Sequence, residues 1–284
     1  MKTIVLANPV SGSFDKNKFN KCLDILNRKF RKIEVVYTEY AGHAEKIAKD
    51  EDYDIVIPAG GDGLLNEVIN GIENRIDKDK GILLYKLPFG TSNVFCREYK
   101  IPINPIKAAE QIDITNFHHI PLGLIGGRYF SLMVGFGFDA LSVKNVDLNL
   151  KKRFSKFAYV YSGLKTFLKK EFHPFEFFTN GKRYEAYHLI VAVSNKYAGS
   201  FNLSKKFKKG KLNIFYLKND KKLNLLKNIL LISLYNGFAG EQIYSDIIKL
   251  IGVDECQIDG DFYKLQMNSN FVKIKKSSFY LVNI

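Results

Sequence analysis

Asp54-Ile55-Val56-Ile57-Pro58-Ala59-Gly60-Gly61-Asp62-Gly63-Leu64-Leu65-Asn66-Glu67-Val68 is the stretch on which the fold turns. Its first part is a continuous apolar run, the mark of a strand buried on both faces. From Leu64 to Ile72 the apolar residues take up a helical pattern. Between strand and helix stand glycines and one aspartate. Glycine there permits positive φ and lets backbone N–H groups approach a phosphate closely. The following helix offers its N-terminal partial charge to the same anion. Asp62 alone would repel phosphate; it makes sense if it binds the magnesium that accompanies ATP, or orients a nucleophile. The bland alternative is an ordinary strand–turn–helix with an aspartate cap. The turn is not a P-loop, because no G-x-x-x-x-G-K-[ST] run occurs in the chain.

Working outward, the first ~120 residues alternate apolar runs with helical patterns, as in a parallel sheet wrapped by helices. Thr3–Ala7 reads as a buried strand. Phe19, Cys22, Leu23, Leu26 and Phe30 mark one helix face. Ile33–Tyr37 reads as a strand, His43–Lys49 as a short helix and Gly81–Leu87 as a further strand. After about Pro121 strand-like runs follow one another closely: Phe130–Val134, Tyr187–Val193, Leu212–Leu217 and Phe262–Met267. Gly126-Gly127, Asn180-Gly181 and Asp259-Gly260 stand where tight hairpin turns belong. Helices are expected over Lys151–Lys170 and roughly Lys222–Leu250. The division expected is 1–121 and 122–284.

Two more loops end strands on the same edge as the glycine turn. Asn8-Pro9-Val10-Ser11-Gly12 follows the first strand, and Leu87-Pro88-Phe89-Gly90-Thr91-Ser92-Asn93 the fourth. Ligands of open α/β sheets collect at the carboxyl ends of the strands. Thr91, Ser92 and Asn93 bring short hydrogen-bonding side chains there. Taken together, Asn8-Pro9-x-Ser11-Gly12, Gly60 to Val68 and Pro88-x-Gly90-Thr91-x-Asn93 resemble the catalytic domain of the diacylglycerol kinase superfamily, which includes sphingosine and ceramide kinases. The likeness continues through Gly135-Phe136-Gly137-Phe138-Asp139, the Lys151–Lys170 segment and Asp259-Gly260-Asp261.

The resemblance implies an α/β + β architecture. Its first part is a Rossmann-like nucleotide-binding domain, similar to phosphofructokinases and NAD kinases. Its second is a mainly antiparallel β-sandwich with a lipid pocket, and the active site lies in the cleft between them. It implies a lipid kinase that transfers the γ-phosphate of Mg-ATP to a lipid hydroxyl, with a diacylglycerol-like substrate. ATP would be held by Asn8, Thr38, Gly60, Gly61, Asp62, Gly63, Leu64, Leu65, Asn66, Glu67, Gly90, Thr91 and Asn93. Asp62 would organise Mg2+ brought by the nucleotide, with Asp139 as a further metal candidate. Asp261 matches the glutamate general base of the family's late D-G-E turn, on a stem one methylene shorter.

Other departures are equally plain. Leu64 replaces the threonine of GGDGT, and Val94 replaces an aspartate common after the G-T-x-N asparagine. The D-G-x-L motif of a structural metal reads Lys209-Gly210-Lys211-Leu212 here, so that metal is expected to be absent. Two other functions stay open: a soluble-substrate kinase of the NAD kinase type, and a catalytically weak, regulatory nucleotide-binding protein.

The bulk composition excludes several classes. With 46% hydrophobic and 25% charged residues the chain has the makeup of a folded protein. Cys22, Cys96 and Cys256 are odd in number and widely spaced, against a disulfide scaffold or zinc site and in keeping with a reducing cytosol. No secretion signal is read before Thr3. The most apolar stretch, Leu223–Tyr235, is broken by Asn224, Lys227 and Asn228 and falls short of a bilayer span. The formal charge of +14 suits an anionic membrane surface or a phosphorylated ligand. Phe154, Phe157, Ala158, Tyr161, Leu164 and Leu168 form an apolar face flanked by lysines, which can lie on anionic lipid or face a core. Cytoplasmic, peripherally membrane-associated placement is expected. A homodimer is compatible with the sequence, and nucleic acid, for which no motif is present, is not an expected partner.

Overall fold

The computed structural model describes residues 1–144, 173–197, 199–218, 237–266 and 270–283. The chain divides into two units, Met1–Ile120 with Lys276–Ile284, and Pro121–Lys275.

The first unit runs β1 (Thr3–Ala7), α1 (Lys16–Lys29), β2 (Ile33–Tyr37), α2 (His43–Asp50), β3 (Ile55–Gly60) and α3 (Asp62–Glu73). It continues through β4 (Leu83–Leu84), β5 (Leu87–Pro88), α4 (Val94–Glu98), α5 (Pro105–Gln111) and β6 (Phe117–His118). β1 pairs in parallel with both β2 and β3, and β3 with both β4 and β5. The expected strand over Gly81–Leu87 is therefore split. The register sets Lys86 opposite Pro58, which has no N–H to give, and the ladder lapses there before resuming at Leu87. Every residue of β1 and β3 is buried, as their unbroken apolar runs require. Asp15 caps α1, its side chain accepting from Lys18 N at 2.7 Å, and Asn104 caps α5 by accepting from Ile106 N and Lys107 N.

The second unit runs β7 (Pro121–Ile125), β8 (Arg128–Phe130), β9 (Met133–Phe136), α6 (Phe138–Lys144), β10 (Phe175–Thr179), β11 (Lys182–Ala186) and β12 (His188–Ala192). Then come β13 (Lys196–Tyr197), β14 (Phe201–Asn202), β15 (Leu212–Leu217), β16 (Glu241–Ser245), β17 (Ile247–Ile251), β18 (Glu255–Ile258), β19 (Asp261–Lys264) and β20 (Phe271–Lys276). Two antiparallel sheets result, ordered β11-β10-β17-β20-β7-β8 and β16-β15-β12-β9-β18-β19. One buried cluster draws Phe130, Phe177, Ile248 and Val272 from the first and Val134, Val191, Ile214 and Cys256 from the second, so the sheets share a core. The three glycine-containing turns close hairpins with positive φ, at Gly126-Gly127, Asn180-Gly181 and Asp259-Gly260.

Three expectations are corrected. Lys276–Ile284 belongs to the first unit, because β21 (Tyr280–Val282) pairs in parallel with β4 and antiparallel with β6. Residues 241–250 are strands rather than helix. Along Ile247–Ile251 exposure and burial alternate residue by residue, a period-two pattern that β-branched isoleucines favour. Phe130–Val134 is two strands, interrupted at Ser131-Leu132 where the N–H groups turn to a side chain described below. The expected helix over Lys151–Lys170, and residues 222–236 of the other, lie outside the described residues. Among the described residues no helix is long and apolar enough to cross a membrane.

Candidate active site

Because β1, β3 and β5 are parallel, the loops that follow them emerge at one sheet edge. Backbone bonds tie them there: Asn8 N donates to Ala59 O at 3.1 Å, Phe89 N to Gly60 O at 3.1 Å, and Thr38 N to Ala7 O at 2.8 Å. Within its loop Asn8 accepts Val10 N on its side chain (3.0 Å) and Ser11 N on its carbonyl (3.2 Å). The three loops touch. A methyl built on Gly12 would lie 2.9 Å from Thr91 Oγ1, one on Gly60 would lie 3.3 Å from Ser11 Oγ, and one on Gly90 would lie 2.4 Å from Gly61 Cα. Asn93 adopts φ 45° and closes the third loop on itself, accepting Gly90 N at 3.1 Å and donating to Gly90 O at 2.6 Å. Asn8, Ser11, Gly61, Gly63 and Thr91 remain at least partly exposed at this edge. The edge gathers the short hydroxyls of Ser11 and Thr91 beside the start of α3, groups of the kind that can receive a phosphate.

Asp62 is the first residue of α3, yet its carboxylate is directed to the third loop. Oδ1 accepts Lys86 Nζ at 2.8 Å and Phe95 N at 3.3 Å; Oδ2 accepts Val94 N at 2.8 Å. The Lys86 side chain is 0% exposed and that of Asp62 13%. An ammonium so buried is tolerated only with a partner, since an uncompensated buried charge costs several kcal/mol. Beside the pair, burial pushes the Cys96 thiol up to about 12, so it is held protonated and unreactive.

Several residues expected at the nucleotide have other work. Glu67 accepts Ala44 N at 3.2 Å, near the start of α2. Leu65 is fully buried in the core and Leu64 nearly so. Leu64 packs beneath the loop, where a methyl on Gly60 would meet its Cδ2 at 2.6 Å. Asn66 is buried and accepts Asn70 Nδ2 on both its carbonyl (2.8 Å) and its side chain (3.1 Å).

Asp139 and Asp261 belong to the second unit. The Asp259 carboxylate accepts Ser131 N (2.8 Å), Ser131 Oγ (3.1 Å), Leu132 N (2.9 Å) and Met133 N (3.0 Å), which is what interrupts the strand there. Gly260 N donates to Gln257 Oε1 at 2.7 Å, and Gln257 Nε2 donates to Asp139 Oδ2 at 2.8 Å. Asp139 Oδ1 accepts the Tyr197 hydroxyl at 2.7 Å, and burial holds that phenol well above its ordinary pKa. Asp261, next in the hairpin, begins β19 and is exposed. The Lys209-Gly210-Lys211-Leu212 turn is held by the Asn213 side chain, which accepts Lys208 N and donates to Lys208 O and Lys211 O.

The carboxylates of Asp62 and Asp139 are both engaged within the protein. The oxygens of each are bonded to donors, and no group of three His, Cys, Asp or Glu that could hold an ion occurs among the described residues. The described residues thus offer no ready protein-held ion site at either aspartate; the role expected of Asp62 is with magnesium that arrives on ATP. Lys86, Gln257 and Tyr197 are absent from the sequence reading. Only Lys86 left a signal, a charge inside the apolar run Ile82–Leu87.

Residues 2–125 match the sequence model of the diacylglycerol kinase catalytic domain. A diacylglycerol kinase of Bacillus subtilis (strain 168) is 29% identical over 205 residues, covering 69% of this chain and 66% of its own length. One from the bovine Staphylococcus aureus strain RF122 is 31% identical over 207 residues, covering 69% and 63%. In fold, the chain is similar along its whole length to a diacylglycerol kinase from Bacillus anthracis str. Sterne, with a TM-score of 0.80, 22% identity and 97% of that chain covered.

Proposed function

We propose, for a kinase that carries the catalytic domain of the diacylglycerol kinase family over residues 2–125, that it moves the γ-phosphate of Mg-ATP onto the hydroxyl of a diacylglycerol-like lipid. The observation that carries this reading is the meeting of the Asn8–Gly12, Gly60–Gly63 and Gly90–Asn93 loops at the carboxyl edge of β1, β3 and β5. In this reading Gly60, Gly61 and Gly63 present N–H groups to the phosphates beside the start of α3. Asn8, Thr38, Thr91 and Asn93 shape the rim. Leu64, Leu65, Asn66 and Glu67 support the loop from beneath instead of touching nucleotide. Phosphoryl transfer asks chiefly for alignment and for charge placed against the phosphates. Magnesium enters as part of the Mg-ATP substrate.

Asp261 is the proposed general base. Its exposed carboxylate stands on a hairpin braced on both sides, by Asp259 on the 131–133 backbone and by Gln257 on Gly260. The bracing fixes the backbone from which Asp261 reaches out, and proton removal from the lipid hydroxyl is what it would supply. The second unit's antiparallel sheets are proposed to form the sandwich that houses the acyl chains.

Radiolabelled ATP supplied with diacylglycerol, sphingoid bases and other lipid alcohols in mixed micelles, and with NAD in a parallel reaction, tests the reading. Phosphorylated diacylglycerol is the expected product. Label in NADP alone would replace the lipid reading with the soluble-substrate one, and nucleotide binding without any product would leave a regulatory protein.

A further inference from the structure

We propose that Lys86 is the resident cation of the nucleotide loop: its ammonium takes up one of the acceptor positions on Asp62 that an ion would need, and makes that carboxylate a latch between α3 and α4. The proposal rests on the reading of the Gly60–Gly63 loop as the nucleotide site. A divalent ion held by protein needs several free oxygen donors at once. At Asp62 three of about four acceptor sites are taken, by Lys86 Nζ at 2.8 Å, Val94 N at 2.8 Å and Phe95 N at 3.3 Å, which leaves too few for an ion held by protein. The residue that starts α4 is Val94, apolar and buried, so no second carboxylate stands there. Lys86 has no solvent exposure and therefore cannot leave the pair for water without opening the fold around it.

The consequence reaches the loop geometry. Gly61 and Gly90 are in backbone contact, and Asp62 and Val94 flank that contact on the two loops. With its charge balanced by Lys86, Asp62 can hold the α4 backbone against the glycine turn before any nucleotide arrives. Lys86 is in this sense a positioning residue. It touches no reacting atom; it fixes the carboxylate that fixes the loops. The divalent ion of the reaction is then brought by the nucleotide, and the free protein has no site for it at Asp62.

The test is Mn2+ binding to the full-length, nucleotide-free protein, followed by electron paramagnetic resonance, with melting temperature as a second readout. The wild type is expected to immobilise no Mn2+ and to melt at the same temperature with or without the ion. Lys86→Ala, which leaves the Asp62 carboxylate without its counter-charge, is expected to melt well below the wild type and still to immobilise no Mn2+, because one carboxylate is not a site for the ion. Adding Asp62→Asn to it removes the unbalanced charge and should recover part of the lost melting temperature. Lys86→Arg should behave as the wild type. Mn2+ bound by the nucleotide-free wild type and lost in Asp62→Asn would overturn the proposal, as would a folded Lys86→Ala protein that melts with the wild type. Should Lys86→Ala not fold, the wild type and Lys86→Arg decide: an immobilised, Asp62-dependent Mn2+ in either refutes the assignment, and its absence from both sustains it. Calorimetric titration with Mg-ADP reports separately on the nucleotide site, so failure of that reading is not confused with failure of this one.

Discussion

Alanine at Gly90 and at Gly61 should separate a glycine required by packing from one required by ligand. A methyl on Gly90 would stand 2.4 Å from Gly61 Cα, 2.9 Å from Asn93 Oδ1 and 3.2 Å from Gly61 N. The first distance is about 1 Å short of carbon–carbon contact, and both nearest groups belong to loops that the Asn93 and Asp62 hydrogen bonds hold in place. Overpacking of this kind costs about 1–3 kcal/mol. At about 2 kcal/mol, a unit of this size should melt roughly 6–10 °C lower. Parting the loops by about 1 Å should also lower kcat/KM for ATP by roughly 10²-fold. Gly61 is the control. A methyl there meets only Gly90 Cα, at an ordinary 3.6 Å, and its φ of −83° suits any residue. Gly61→Ala should melt within ~1 °C of the wild type, or slightly higher through a less flexible unfolded chain. If phosphate approaches this amide closely, it should still bind ATP more weakly. Differential scanning fluorimetry and ATP kinetics on a lipid substrate give both numbers. A Gly90→Ala protein with unchanged melting refutes the packing argument, and a Gly61→Ala protein with unchanged ATP affinity removes Gly61 from the phosphate site.

Asp261→Ala should lower kcat by roughly 10²–10⁴ with little change in ATP affinity, and Asp261→Glu should keep or raise turnover; a stable alanine variant with the wild-type rate rules out the base. Asp259→Ala strips the acceptor from Ser131 N, Leu132 N and Met133 N and should cost about 3 kcal/mol, so chemical denaturation should show a large loss for Asp259→Ala and almost none for the exposed Asp261→Ala. His188 is buried, and burial lowers its pKa below the ordinary 6.5. The folded state thus resists a proton that the unfolded state accepts, so stability is intact above about pH 6.5 and declines as pH falls toward the depressed folded value; in His188→Phe that part of the acid loss should vanish, and an unchanged acid profile would show that another group carries it. With a formal charge of +14, sedimentation with phosphatidylserine vesicles should be strong at low salt and fall as salt rises, since each lysine near such a surface contributes about 1 kcal/mol; no sedimentation at low salt leaves the charge without a lipid role.

The parallel sheet and its three loops were legible because their signals are local. Thr3–Ala7 and Ile55–Gly60 are apolar without a break, and each is followed by a residue pattern that only a turn can use. The hairpins at Asn180-Gly181 and Asp259-Gly260 were legible for the same reason: both residues of each take positive φ, and asparagine, aspartate and glycine are the residues that do so cheaply. What failed was long-range. Nothing near Tyr280 says that β21 will leave the second unit's sheets and pair with β4. Residues 241–250 carry apolar positions close enough together to suit a helix, and the choice of strand is made by partners at Leu212–Tyr216 and Phe271–Lys273.

The site residues divide along the same line, and the division says what kind of signal to read. Glycines and short hydroxyls mark a turn at a strand end by type alone, whereas a carboxylate announces only that it needs partners. Asp62 reads as a metal ligand as long as its partners are unknown; three donors from the Leu87–Asn93 loop and its flanks turn it into a latch. The partner did leave a trace. Ile82-Leu83-Leu84-Tyr85-Lys86-Leu87 is a buried strand run with one ammonium in it, and all six residues have almost no exposure. A lysine is almost never fully buried in such a run unless it is paired, and a carboxylate is its natural partner. Among nearby acids, the aspartate at the end of the neighbouring parallel strand is the one in reach, because Pro58 faces Lys86 in the register and Asp62 lies one turn beyond it. The charge that breaks an apolar pattern therefore points to its own partner, and here that partner is the residue whose chemistry the loop motif left open.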